Sequence, residues 1–222
     1  MTAEVATREQ PLIAIDVVPM SFSGSGGLLV ATARRPYDPY AGQEALPGVL
    51  LHPAERLTDG ARRALRTKAG LGPETVRHLA QIGAFDGPER DPRDAAISIA
   101  FVAVVDTDPG ETPSTGPSAV WRVPAQAEPG LPFDHDRIID AALDHARTRL
   151  WRDHALTRAL LGGRFTTADA ARLQTALFGV APDPGNLNRA LRTNPALRRA
   201  DDATSPARGR GGRPPVTWTW LD

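Results

Sequence analysis

Residues 46–71 read L-P-G-V-L-L-H-P-A-E-R-L-T-D-G-A-R-R-A-L-R-T-K-A-G-L. The stretch predicts a loop and then an Arg-rich amphipathic helix over residues 57–69. Gly70 ends that helix at the position glycine favours, since it takes left-handed backbone without strain. Positions 64, 67 and 68 are three and four residues apart, so they share one helix face. They are Ala64, Thr67 and Lys68. Ala offers no ligand atom, Thr a weak neutral one, and Lys an ammonium that repels a divalent cation. Glu55 and Asp59 are the acids nearby, and two scattered carboxylates are a poor substitute for a cluster.

Strand signals flank this stretch. Residues 11–20 (P-L-I-A-I-D-V-V-P-M) and 27–33 (G-L-L-V-A-T-A) read as a hairpin of buried strands joined by a Gly/Ser turn over 21–26. Residues 34–45 form a Pro/Gly-punctuated loop. Strands are expected at 76–84, at the fully apolar and therefore central 97–105, and at 119–123. Residues 124–134 (P-A-Q-A-E-P-G-L-P-F-D) are Pro-rich and read as a linker.

Beyond the linker, a long amphipathic helix is expected over 135–154. A second starts at the capping-box-like T-T-A-D of residues 166–169, and a third lies around N-L-N-R-A-L-R-T-N, 186–194. Residues 206–220 (P-A-R-G-R-G-G-R-P-P-V-T-W-T-W) place a Gly/Arg hairpin tip before a strand with Val216, Trp218 and Trp220 on one face. This order of elements is that of a winged helix-turn-helix.

The 222 residues contain no Cys, which excludes disulfides, zinc fingers and thiol catalysis. The N-terminus has no signal-peptide pattern and no apolar run approaches membrane-spanning length, so a soluble cytoplasmic protein is expected. Net charge is zero but uneven: residues 1–132 carry 12 basic and 16 acidic side chains, −4, and residues 133–222 carry 14 and 10, +4. A basic C-terminal half points to a polyanionic partner.

Residues 46–71 resemble a Nudix box. Glu55, Arg63, Leu65, Gly70 and Leu71 keep their places, whereas Ala64, Thr67 and Lys68 stand where that family has metal-binding glutamates and Val49 replaces the leading Gly. With G-x-F-x-x-P-x-R-D-P-R over 83–93, F-T-T-A-D and the R-G-R-G-G-R-P segment, nearly the whole chain resembles the Nudix-related transcriptional regulators of NAD metabolism, the NrtR type. The resemblance implies an α+β chain, with an N-terminal Nudix-like α/β sandwich (1–123) built on a mixed sheet. A linker (124–134) and a C-terminal winged helix-turn-helix domain (135–222) follow. It also implies a homodimer on a palindromic double-stranded DNA operator, with ADP-ribose or a related nucleotide as effector. No membrane contact, catalytic residue, metal or cofactor is expected.

The expected ligand-binding residues are Arg34, Arg35, Glu55, Arg63 and Lys68. Arg34 and Arg35 follow a buried strand and reach toward phosphates, or else form a surface pair. Arg63 orients the box loop through Glu55 or backbone, and Lys68 pairs with a diphosphate or faces solvent. Arg90, Asp91 and Arg93 are expected to lock a turn or interface by ion pairs, and His135 reads as a helix start. No base-stacking aromatic stands out near the box. For DNA, Asn188, Arg189 and Arg192 suit a recognition helix, and Arg208, Arg210 and Arg213 a wing that meets phosphates or a narrow minor groove. Asn186 is expected to cap its helix. A metal-dependent hydrolase of a nucleoside diphosphate derivative is the alternative, and a constitutive DNA-binding or scaffold protein a third reading.

Overall fold

Strand β1 (Leu12–Ser23) is buried without interruption from Ile15 to Ser21, as a strand covered on both faces must be. The computed structural model describes residues 10–24, 26–87, 90–106, 117–126, 129–200 and 215–221. β1 pairs antiparallel with β2 (Gly27–Arg34). The turn expected at 21–26 is shorter, because pairing continues from Met20↔Val30 to Ser23↔Gly27 and Phe22 packs against the core. Gly27 takes φ +73° at the turn's end.

Strands β3 (Glu44–Ala45) and β4 (Gly48–Leu50) precede helix α1 (Leu57–Ala69), and β5 (Val76–Phe85), β6 (Ala96–Val105) and β7 (Ala119–Arg122) follow it. They form a seven-stranded mixed sheet ordered β3-β2-β1-β6-β5, with β4 on β1 and β7 on β2. β6 lies parallel to β1, Ile15 opposite Ile99, and its almost wholly buried course agrees with the central place its apolar run predicts.

Helix α1 covers one face. Ala61, Ala64, Leu65 and Ala69 pack on Ile15, Val17, Phe101 and Ala103, and Gly70 closes the helix in left-handed backbone at φ 68°. The other face receives α2 (His135–Arg149) and α3 (His154–Leu161). The helix expected over 135–154 forms as α2 but ends at Arg149, and a further helix, α3, begins at His154. Trp151 takes φ +67°, and Asp153 accepts from Leu156 N at 3.0 Å to start a new helix. Thr157 Oγ1 then accepts from Trp151 N at 3.1 Å and donates to the Asp153 carbonyl at 2.8 Å, holding the corner.

Strand β8 (Arg164–Thr166), helices α4 (Thr167–Phe178) and α5 (Pro184–Thr193), and strands β9 (Leu197–Arg199) and β10 (Thr217–Trp220) complete the described chain. The last three strands form an antiparallel sheet ordered β8-β10-β9. Thr166 and Asp169 form a full capping box on α4. The cap of α5 is not Asn186: Asp183 accepts from Asn186 N at 2.8 Å, and Pro184 occupies the first turn, where its missing N–H costs nothing. Trp218 and Trp220 are buried on one face of β10, and their indoles donate to Thr167 Oγ1 and the Gly162 carbonyl, each at 2.9 Å.

Packing does not break at the linker expected over 124–134. Ile138, Ala142 and Ala146 of α2 lie in the same buried cluster as Val18, Met20, Val102 and Val104 of the sheet, and that cluster runs on through α4, α5 and Trp220. α2 is thus the sheet's second layer as well as the first helix of the C-terminal half. The β1–β2 hairpin tip also reaches α4: a Cβ on Gly24 would lie 2.7 Å from Asp169 Oδ1. No described helix is long and apolar enough to cross a membrane.

Candidate functional site

A cavity of about 360 Å³ opens where β1, the end of β2, α1 and the start of α2 meet; Asp16, Arg35, Tyr37, Gly48, Lys68, Phe133 and His135 line it. Its floor is ionic. Asp16 is a carboxylate in the middle of an apolar strand and needs partners. It accepts from Arg90 Nη2 at 2.9 Å and Ser98 Oγ at 2.6 Å, and His135 Nε2 stands 3.6 Å from its other oxygen. Arg90 Nε pairs with Asp134 at 2.8 Å, so one guanidinium joins β1 to the residue before α2. His135 Nδ1 accepts from Leu46 N at 2.9 Å, which leaves its other nitrogen to face Asp16.

Burial alone raises the Asp16 pKa, but the facing His135, the Ser98 hydroxyl and Arg90 together outweigh it and hold the carboxyl well below the usual range. A carboxylate depressed in the folded state adds stability above its unfolded value near 4, and that stability is lost as pH falls toward the folded value. Urea denaturation at a series of pH values should therefore show midpoints falling below about pH 4, and Asp16→Asn should flatten the fall.

Gly48 sits opposite Asp16 in the β1–β4 pair, and a Cβ there would lie 2.2 Å from Asp16 Oδ1. Gly48→Ala must displace the carboxylate from its partners, with an expected loss of about 1–3 kcal/mol in equilibrium denaturation.

The expected ligand-binding residues separate into two groups. Arg35 and Lys68 line the cavity together, and with Arg34 they line a smaller adjoining one of about 50 Å³. Arg34 donates to the Gly42 carbonyl at 2.9 Å, and Arg35 donates to the Pro39 carbonyl at 2.8 Å while lying over the Phe133 ring at 4.7 Å. Arg63 lines the cavity too, but it is bound by Glu55, at 2.8 and 2.7 Å. Arg63 also holds the Leu50 carbonyl at 2.8 Å and Glu55 the His52 N–H at 3.0 Å. That orienting role for Arg63 is the one its position predicts. The Arg63 hydrogen bonds, and then that of His52, lower the Glu55 pKa to about 2.

Ala64 is fully buried under α1, and the Thr67 hydroxyl donates to the Arg63 carbonyl at 2.8 Å. With Lys68 beside them, this donor set does not fit a divalent cation.

Sequence reasoning missed four cavity residues. Tyr37 and Phe133 supply aromatic faces, Tyr40 meeting Phe133 edge-on at 5.0 Å. His135 is a buried partner of the site as well as the first residue of α2, and Asp16 anchors the floor. The signal for Asp16 was present: a charge inside an apolar strand, with an Arg-Asp-Pro-Arg segment elsewhere to match it. Phe133 and Asp134 take left-handed backbone at φ 61° and 53°, which nothing in the residue pattern foretells.

A second concavity, of about 870 Å³, lies between α5, β9 and β10. Asn188, Arg189 and Arg192 line it as their helix predicts, joined by Arg198 and Arg199 of β9. Among the described residues none of these four arginines forms an ion pair with a carboxylate. The Asn188 carboxamide donates to the Pro184 carbonyl at 2.8 Å. Arg208, Arg210 and Arg213 fall in the connection between β9 and β10, outside the described residues.

Known proteins match this architecture. The NUDIX domain family matches residues 11–142, through β1 and well into α2. An ADP-ribose pyrophosphatase of Methanocaldococcus jannaschii is 34% identical over 113 residues, 48% of this chain and 60% of that enzyme; the chain thus matches less than two thirds of that relative's length. A MutT/nudix family protein of Enterococcus faecalis superposes with TM-score 0.72 at 20% identity, covering 98% of this chain and 89% of that one. NrtR of Shewanella oneidensis superposes with TM-score 0.73 at 19% identity, covering 95% and 94%. It has also been solved with a 27mer DNA (TM-score 0.72), and its NUDIX domain with ADP ribose (TM-score 0.52). At these identities the structures report a shared fold.

Proposed function

This chain belongs to the Nudix domain family, and on that premise we propose that it is a DNA-binding transcriptional repressor whose Nudix cleft senses ADP-ribose or a related nucleotide without hydrolysing it. The observation that carries the reading is the groove in which Arg189, Arg192, Arg198 and Arg199 converge, none of them in an ion pair with a carboxylate among the described residues. Unpaired guanidinium groups around an exposed helix bind phosphates and reach base edges. In this reading α4 and α5 are the helix-turn-helix, α5 enters the major groove, and the β8-β10-β9 sheet carries a wing that includes Arg208, Arg210 and Arg213. A homodimer would set two such helices on a palindromic operator. The S. oneidensis neighbour, solved with DNA and, as its Nudix domain, with ADP ribose, is consistent with this division of labour.

The fold supplies a short route between the two sites. A ligand in the cleft meets Phe133 and His135, at the start of α2. Near the other end of α2, Arg147 Nε donates to the Leu177 carbonyl of α4 at 2.5 Å. A cleft that prefers one placement of α2 would bias the placement of α4 and α5, and effector and DNA would then weaken each other's binding reciprocally.

Fluorescence anisotropy with DNA from upstream of the chain's own gene tests the reading. Affinity should fall steeply with salt and exceed that for scrambled DNA by about a thousandfold or more. Equal binding of both DNAs, or none, would overturn it. The M. jannaschii relative favours a second reading, hydrolysis of a nucleoside diphosphate derivative. The Ala64, Thr67 and Lys68 face opposes it, and release of AMP from ADP-ribose with Mg²⁺ or Mn²⁺ would establish it.

A further inference from the structure

The cations of the cleft are not equivalent. Arg63 is neutralised by Glu55, Arg90 by Asp16 and Asp134, and Arg93 by Asp91 at 2.6 Å. Arg35 and Lys68 also line the cavity, and among the described residues neither forms an ion pair with a carboxylate. Asp38, on the rim, is the one cavity-lining acid without an ion-pair partner among those residues. Lys68 also lines the small adjoining cavity with Arg34 and Arg35, and the Arg34 side chain donates to the Gly42 carbonyl, its one hydrogen-bond partner among the described residues. Three cations without carboxylate partners among the described residues therefore line two hollows that share Arg35 and Lys68, and one of them occupies a helix position where a Nudix box has a metal ligand.

An ammonium is a compact point charge on a flexible stem, and a guanidinium presents a planar fork that matches phosphate oxygens. Together they supply what a divalent cation supplies to a diphosphate: positive charge between neighbouring oxygens in a partly dehydrated cleft. They supply no polarised water, so the arrangement suits binding and not hydrolysis.

We propose that this cleft binds diphosphate groups without a divalent cation, the Lys68 ammonium and the Arg35 guanidinium holding the phosphate oxygens, with Arg34 beside them. This rests on the reading of the cleft as a nucleotide-sensing site. It also gives that reading a chemical condition, because the sensor would respond to its ligand irrespective of free Mg²⁺. The Phe133 ring fixes Arg35 from behind, and Tyr37 is placed to meet the rest of the ligand.

Calorimetric titration of the full chain with ADP-ribose, and separately with inorganic pyrophosphate, tests the assignment in EDTA and in Mg²⁺. ADP-ribose affinity should agree within about twofold in the two buffers, the spread expected when no bound metal contributes charge. Lys68→Ala should weaken binding by about tenfold to a hundredfold, the range for losing a charge-assisted hydrogen bond, and Lys68→Arg should keep most of it. Lys68→Glu should abolish binding in EDTA and regain part of it in Mg²⁺, because a carboxylate restores a metal ligand. Thermal melts of the variants confirm that each is folded. ADP-ribose binding that requires Mg²⁺ and ignores Lys68→Ala would overturn the proposal and leave the sensor reading standing. Pyrophosphate bound in EDTA through Lys68, with no binding of ADP-ribose, would uphold the proposal and remove ADP-ribose as the effector. Binding of neither probe would overturn it.

Discussion

Arg90→Ala should lower the stability of the folded chain by about 3–5 kcal/mol, the cost of breaking a buried ion pair from one side. The Arg90 side chain is 3% exposed and Asp16 7%, so its removal leaves a buried carboxylate with only Ser98 and His135 beside it among the described residues, and a second, Asp134, facing the gap. For a chain of this length the melting temperature should fall by on the order of 10 °C. Adding Asp16→Asn to Arg90→Ala should recover part of the loss, since a neutral amide tolerates burial better than an orphaned carboxylate. A loss under about 1 kcal/mol would mean the pair behaves as a surface ion pair, and that Arg90 does not tie β1 to α2.

Arg189→Ala with Arg192→Ala should reduce operator affinity by about a hundredfold or more, at roughly 1–3 kcal/mol for each lost contact. Both side chains are exposed on α5, whose buried contacts are made by Leu187 and Leu191, so thermal stability should hardly change. Arg198→Ala and Arg199→Ala, on β9, should act on phosphates instead, weakening specific and scrambled DNA alike and flattening the salt dependence. The two pairs therefore separate readout from charge. Unchanged DNA affinity in the α5 double variant would remove α5 as the recognition element.

Most elements were legible because their signals are local. The apolar 97–105 stretch could only be a central strand, the alternation of Trp218 and Trp220 fixed a buried face, and T-T-A-D announced its capping box. Errors arose where distant residues decide. The break between α2 and α3 depends on Thr157 bridging Trp151 and Asp153, and Asn186 lost the cap to Asp183 because Pro184 is better suited to the first turn. Beyond the Pro-rich 124–134 stretch, α2 packs on the sheet, so residues from both halves share one buried cluster. In the cleft, Arg35 and Lys68 line the cavity from places visible in the sequence, after a strand and on the helix that follows. Asp16 left a signal, a charge inside an apolar strand, whereas Phe133 and His135 left none, because their roles exist only once residues far apart in sequence meet.

Ligand and DNA acting on each other through that shared core is the central claim. The measurement that tests it most directly is a preformed complex of the chain with its operator, titrated with ADP-ribose in EDTA and followed by anisotropy. A saturable release of DNA, absent in Lys68→Ala, is the result expected. DNA that stays bound at ADP-ribose concentrations shown by calorimetry to fill the cleft would contradict it.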